Sequence, residues 1–339
     1  MSWNISQIGQ IFALAESGLL HAGQVKDAAR LDALRPARAA WLEMGSRVCA
    51  YAGTLLLASA VIFFFAYNWA DLPRFAKIGL ALAGVVVAVA AAGFSRPFAT
   101  GWRAALFGAS LCTGALLALI GQTYQTGADI WELFAAWALL ITPLVLLARS
   151  SASWLLWLVV ANMALIRMLN QNFGFILWYY NTNELSLFIV AGFNLVLLAA
   201  LELWSARLLL RPSRHLHRIT ALALIWPLTF AGCVAWDDAD YALLSFGFFA
   251  LAAVMLWFYR QIRFDLAMLA IAGFALIIVT TTGLGHWLFV EVTIFSLKND
   301  AALSLILLAL YLILTTGALA VWLKRLHRSA STPAQGKNA

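Results

Sequence analysis

Apolar residues run in ten long stretches along this 339-residue chain, at roughly 46–68, 77–95, 103–121, 129–148, 153–170, 185–204, 218–236, 240–259, 264–283 and 301–323. Each approaches the about 20 residues that cross a hydrocarbon core as an α-helix. A segment apolar around its whole circumference is one whose surroundings are lipid or other apolar helices. Hydrocarbon offers peptide groups no hydrogen bonds, so each backbone must satisfy itself within the segment. The pattern therefore predicts an all-α fold, a polytopic transmembrane helical bundle of about ten spans over residues 46–323.

The two ends follow other patterns. Residues 4–17 place Ile5, Ile8, Ile11, Phe12 and Ala15 on one helical face and stop at Gly18, and a second short helix is expected from about 22 to 34, before Pro36. This short N-terminal helical hairpin, residues 1–45, is expected in the cytoplasm, folded over the inner loops or lying on headgroups. It lacks the apolar core of a cleavable signal, so span one is expected to remain in the mature protein. Residues 324–339 read as a disordered cytoplasmic tail.

Composition strengthens the membrane reading and charge orients it. Hydrophobic residues make up 64% of the chain and charged residues 11%, outside the usual mix of water-soluble domains. Lys and Arg gather in alternate gaps: in the N-terminal arm, at Arg96 and Arg103, at Arg149, from Arg207 to Arg218, at Arg260 and Arg263, and in the tail. Only Arg74, Lys77, Arg167 and Lys298 fall on the other side, which leaves 22 − 4 = 18 basic residues together. The positive-inside rule then places both termini in the cytoplasm. The net charge of +7 is spread over loop ends instead of one compact face, which argues against nucleic acid. The inner basic loops, His215 and His217 among them, would instead attract anionic lipid.

Candidate chemistry is sparse. The densest polar group is predicted outside: Asn68 and Trp69 after span one, then Gln122, Tyr124, Gln125, Asp129, Trp131 and Glu132 around the third gap. The amides could hydrogen-bond a small polar ligand between aromatic walls. Interfacial Trp and Tyr belts and ordinary turn residues produce the same composition. Asp71 is placed as a cap for a helix begun by Pro73, and Asp129 and Glu132 share one helix face. Arg167, late in span five, needs either to snorkel or to find a partner such as Glu132 or Asp129. Asn162 and Asn194 fall near the middles of spans five and six, where an amide commonly bonds across to another helix. Pro143 and Pro227 can kink their spans, and Thr280, Thr281 and Thr282 can bond their own backbone. His286 reads as a lone, solvated interfacial histidine. Cys49, Cys112 and Cys233 follow no disulfide or metal spacing, and no metal or cofactor is implied. The familiar signatures of soluble enzymes and of intramembrane hydrolysis do not occur, so no catalytic residue is assigned.

The segments Leu14-Ala15-Glu16-Ser17-Gly18-Leu19-Leu20, Phe65-Ala66-Tyr67-Asn68-Trp69 with Lys77, and Ile120-Gly121-Gln122-Thr123-Tyr124-Gln125 resemble the bacterial predicted membrane proteins grouped as domain of unknown function 2157. The resemblance covers about the first 150 residues. It implies a location, the bacterial inner membrane, and a multi-pass architecture, and names no reaction. Ten spans divided five and five carry the arithmetic of an inverted-repeat transporter, yet the Asn68-Trp69 and Gln122–Gln125 signals have no counterpart in the second half. The first expectation is a protein that binds or transports a small polar solute through an outward-facing site near Asn68, Gln122 and Arg167. The alternative is a non-catalytic membrane subunit or scaffold whose outer loops hold a periplasmic partner, and an intramembrane enzyme ranks third.

Overall fold

A computed structural model describes residues 38–67, 72–124, 127–169, 184–210, 214–291 and 301–331. Among them ten helices are long and apolar enough to cross a membrane. They are α1 (Arg38–Tyr67), α2 (Arg74–Phe94), α3 (Thr100–Tyr124), α4 (Ile130–Ala148), α5 (Ser151–Leu169), α6 (Glu184–Leu208), α7 (Arg214–Val234), α8 (Ala242–Gln261), α9 (Leu266–His286) and α10 (Ala301–Ser331). No strand occurs among the described residues. All ten apolar stretches are thus helical, and the two short helices expected at 4–17 and about 22–34 lie outside the described residues.

Two helices outrun their apolar stretches. Helix α1 starts eight residues before position 46, with Arg47 paired to Glu43 one turn away. Helix α10 continues to Ser331, so residues 324–331 are helical where the sequence suggests a tail. Apolarity marks where hydrocarbon ends, whereas helix hydrogen bonds continue into the headgroup region. Basic residues in that last stretch, Arg328 among them, also suit the negative end of the helix dipole.

The contacts divide the chain into two compact units, one of Cys49–Tyr311 and one of Met1–Val48 with Leu312–Ala339. Within the first, α2 to α5 pack mainly as sequence neighbours: α2 on α3, α3 on α4, α4 on α5. Helices α6 to α9 are arranged differently, because α7 touches α6, α8 and α9 at once. It is accordingly the most deeply buried span, with Leu216, Ala221, Leu224, Ile225, Leu228 and Ala231 among its enclosed residues.

The same device locks helices in both groups. The Trp137 indole of α4 lies on Gly114 of α3 and donates to the carbonyl of Ser110, 2.8 Å away. Trp236, just after α7, lies on Gly283 of α9 and donates to the carbonyl of Val279 at 3.1 Å. In each case the acceptor sits four residues before the glycine. Missing Cβ atoms let a flat ring reach the backbone, and the indole N–H finds an acceptor in a water-poor setting.

Helix ends and breaks are locally specified. Pro73 is the N-cap of α2 and Arg74 its first helical residue, one position later than expected. Helix α4 stops where Arg149 turns left-handed at φ 45°. That residue binds the end of α6 twice, its side chain donating to the Ala206 carbonyl at 2.7 Å and its own carbonyl accepting from Leu210 N–H at 2.9 Å. Pro143 and Pro227 lie inside α4 and α7, which run on through them, and the departure from helical geometry falls instead at Trp204 of α6 (φ −120°, ψ 18°). Thr280, Thr281 and Thr282 each donate to carbonyls of their own helix.

Candidate functional site

The outer polar residues occupy the α3–α4 turn and its flanks. Gln122 and Tyr124, in the last turn of α3, are exposed. Asp129 is the N-cap of α4, extended at φ −64° and ψ 151°, but its carboxylate makes no capping bond. Its carbonyl accepts from Glu132 N–H at 3.0 Å, and both side chains are exposed. Trp131 is half-buried between them. Asn68, Trp69, Asp71 and Gln125 lie outside the described residues. Arg167 is half-buried in the last turn of α5. The described part of this region is an open, acidic surface at a helix start.

The mid-span amides are closed on each other. Asn194 is fully buried on α6, and its Nδ2 donates to Asn162 Oδ1 of α5 at 2.7 Å. Asn162 Nδ2 returns a bond to Asn194 Oδ1 at 3.2 Å. Each amide also donates to the carbonyl four residues back, Leu158 and Val190, at 2.9 Å. Both NH₂ groups and both side-chain oxygens are thereby engaged, in a setting where an unmatched amide would be expensive.

The largest constellation is at the other end of α6 to α9, among the basic loops. Glu202 of α6 and Asp265, the residue before α9, are buried carboxylates. Arg214, in the first turn of α7, reaches both: Nη1 lies 2.9 and 3.1 Å from the two Glu202 oxygens, and Nε lies 3.4 Å from Asp265 Oδ2. Arg263 Nη1 meets Glu202 Oε2 at 2.7 Å, and Tyr259 Oη donates to Oε1 at 3.1 Å. Arg218, one turn along α7, places Nη2 3.1 Å from Asp265 Oδ1 and Nε 3.4 Å from Oδ2. Asp265 also caps α9, accepting from Ala267 N–H at 3.0 Å. Beside the cluster, buried His217 has Nε2 3.2 Å from the Leu201 carbonyl. Four helices meet here through charge.

This cluster changes the reading of the basic loop from Arg207 to Arg218, since two of its arginines are committed to buried carboxylates. The signal for it is in the chain: Glu202 and Asp265 both fall inside apolar stretches, 185–204 and 264–283, near the ends that carry the basic residues. Acids so placed need partners nearby. His286 also differs from its expected solvated state, being only 17% exposed with Nε2 2.9 Å from Asp237 Oδ1, so α7 and α9 are also tied at the ends away from the cluster.

Residues 4–154 match the family model described as Predicted membrane protein (DUF2157). No curated protein and no solved structure matches the chain. The match spans the stretch marked by the Asn-Trp and Gly-Gln-Thr-Tyr-Gln motifs and stops early in α5. With the ten apolar helices it makes this an integral, multi-pass membrane protein. The paired amides and the buried ion cluster include residues beyond the matched stretch.

Proposed function

We propose that the protein is a non-catalytic subunit or scaffold of a bacterial inner membrane, presenting its outer polar turn to a periplasmic partner. The observation that carries this reading is the reciprocal Asn162–Asn194 pair. A solute path through the bundle would need mid-span polar groups with donors or acceptors to offer, and these amides spend theirs on each other and on their own helices. Tyr124, Asp129 and Glu132, by contrast, are exposed and close together in the chain. A polar rim with an exposed aromatic is the composition that protein partners use. The orientation follows from the 18 basic residues that share one side.

The test is site-specific photocrosslinking in native membranes, with the probe placed in turn at Gln122, Asp129 and Glu132, and at Val196 on the lipid-exposed face of α6 as control. The reading expects a discrete crosslinked protein from the outer positions and none from Val196. Equal, diffuse crosslinking at all positions, or saturable uptake of a polar solute by proteoliposomes of the pure protein, would overturn it.

A further inference from the structure

The ion cluster at the foot of α6 to α9 holds three arginines against two carboxylates, which leaves one positive charge in excess. Two carboxylates cannot neutralise three arginines, so one positive charge is left to solvent or to an added anion. The burial is also uneven. The carboxylates are 8% and 3% exposed, while the side chains of Arg214, Arg218 and Arg263 are 34%, 36% and 43% exposed. Among the described residues, Nη2 of Arg214, Nη1 of Arg218, and Nε and Nη2 of Arg263 make no hydrogen bond. The acids hold Arg214 by Nη1 and Nε, Arg218 by Nε and Nη2, and Arg263 by Nη1 alone, so the Nε–Nη2 edge of Arg263 remains unused.

We propose that Arg214, Arg218 and Arg263 form a binding site for an anionic phosphate group, carried by a phospholipid headgroup or by a soluble phosphate ester. The free Nε–Nη2 edge of Arg263 matches two phosphate oxygens at once, which an ammonium cannot do, and Arg214 and Arg218 each add a single-nitrogen contact. The grip of Glu202 and Asp265 freezes arginine rotamers before the ligand arrives and so reduces the entropy lost on binding. All three arginines lie at or within about one turn of helix ends, by the 5.4 Å pitch, which is headgroup depth. The site is independent of the outer turn and of any partner there.

The full-length chain, purified in neutral detergent, tests this by native mass spectrometry of lipid retained from mixtures of phosphatidylglycerol and phosphatidylcholine. A second arm measures the thermal midpoint in inorganic phosphate against sodium chloride of matched ionic strength. Wild type is compared with Arg263→Gln, Arg218→Lys and, as a control of equal charge loss, the exposed neighbour Arg260→Gln. The expected result is retention of phosphatidylglycerol over phosphatidylcholine, a phosphate-specific rise of the midpoint, or both. That preference should fall about tenfold in Arg263→Gln and Arg218→Lys and persist in Arg260→Gln. The lipid arm alone responding assigns a headgroup, and the phosphate arm alone responding assigns a soluble ester. Indifference of wild type in both arms overturns the proposal. So does a preference that Arg260→Gln weakens as much as Arg263→Gln, because diffuse charge would then explain it. Arg218→Lys retains the charge, so the test remains decisive if Arg263→Gln folds poorly.

Discussion

Helices α2 to α5 and helices α6 to α9 solve the same problem in two ways. The first group is a ladder of sequence neighbours, and its most conspicuous polar residues point away from the bundle at the α3–α4 turn. The second wraps three helices around α7 and turns its polar residues inward, onto each other. Apolar burial cannot by itself explain the second arrangement, because lipid is as apolar as leucine and gives helices little reason to leave it. Close packing at small residues and buried polar contacts supply that reason. The family match falls on the ladder, while the ion cluster falls wholly outside it.

Removing Glu202 should break the contrast most severely. Glu202→Ala leaves Arg214, Arg263 and Tyr259 without their shared acceptor. Loss of one member of a buried pair costs about 3–5 kcal/mol, and partial exposure of these arginines lowers the expectation to about 1–3 kcal/mol. Denaturant titration in mixed micelles should register it as a lower midpoint, with Glu202→Gln intermediate. If the midpoint of Glu202→Ala equals that of wild type, the cluster is not what holds α6 to α9 together.

The tryptophan locks sharpen the comparison, since both groups have one. A methyl at Gly283 would come 2.5 Å from the Trp236 ring, and one at Gly114 would overlap Trp137 as well. Each Gly→Ala substitution should destabilise by about 1–3 kcal/mol, the usual range for overpacking. Gly114→Ala should be the worse of the two, because its methyl would come closer to the facing ring and α3 is held against both α2 and α4. Thermal midpoints of the two variants measured side by side settle the order.

A smaller effect is expected at the amide pair. Asn162→Ala should cost about 0.6–1.7 kcal/mol, the range of interhelical hydrogen bonds in membranes, because buried Asn194 loses a partner. The double variant Asn162→Leu with Asn194→Leu should recover most of that loss, since no unmatched polar group remains. A double-mutant cycle tests the recovery. Least affected of all should be Glu132→Gln on the exposed turn, within about 0.5 kcal/mol of wild type in stability while weakening crosslinking to a partner.

The contrast also explains what was legible in the chain. Lipid imposes one requirement on every span, so apolar length alone located all ten helices to within a few residues, apart from the extensions at the start of α1 and the end of α10. Asn162 and Asn194 were visible as mid-span amides apt to bond across to another helix, but not as partners of each other. Contacts such as Glu202 with Arg263, 61 positions apart, were invisible because they depend on which helices touch around α7. Periodicity says that a helix is buried but not against what. The Trp137–Gly114 and Trp236–Gly283 locks were hidden for the same reason.

The most direct measurement is cysteine accessibility from both sides of the membrane, at Asn162, Asn194, Gln122 and Glu132, in a background where Cys49, Cys112 and Cys233 are replaced by serine. A sealed bundle predicts that a water-soluble thiol reagent labels positions 122 and 132 and leaves 162 and 194 unlabelled from either side. Labelling of 162 or 194, reduced by a polar solute, would reveal an aqueous path and contradict the account.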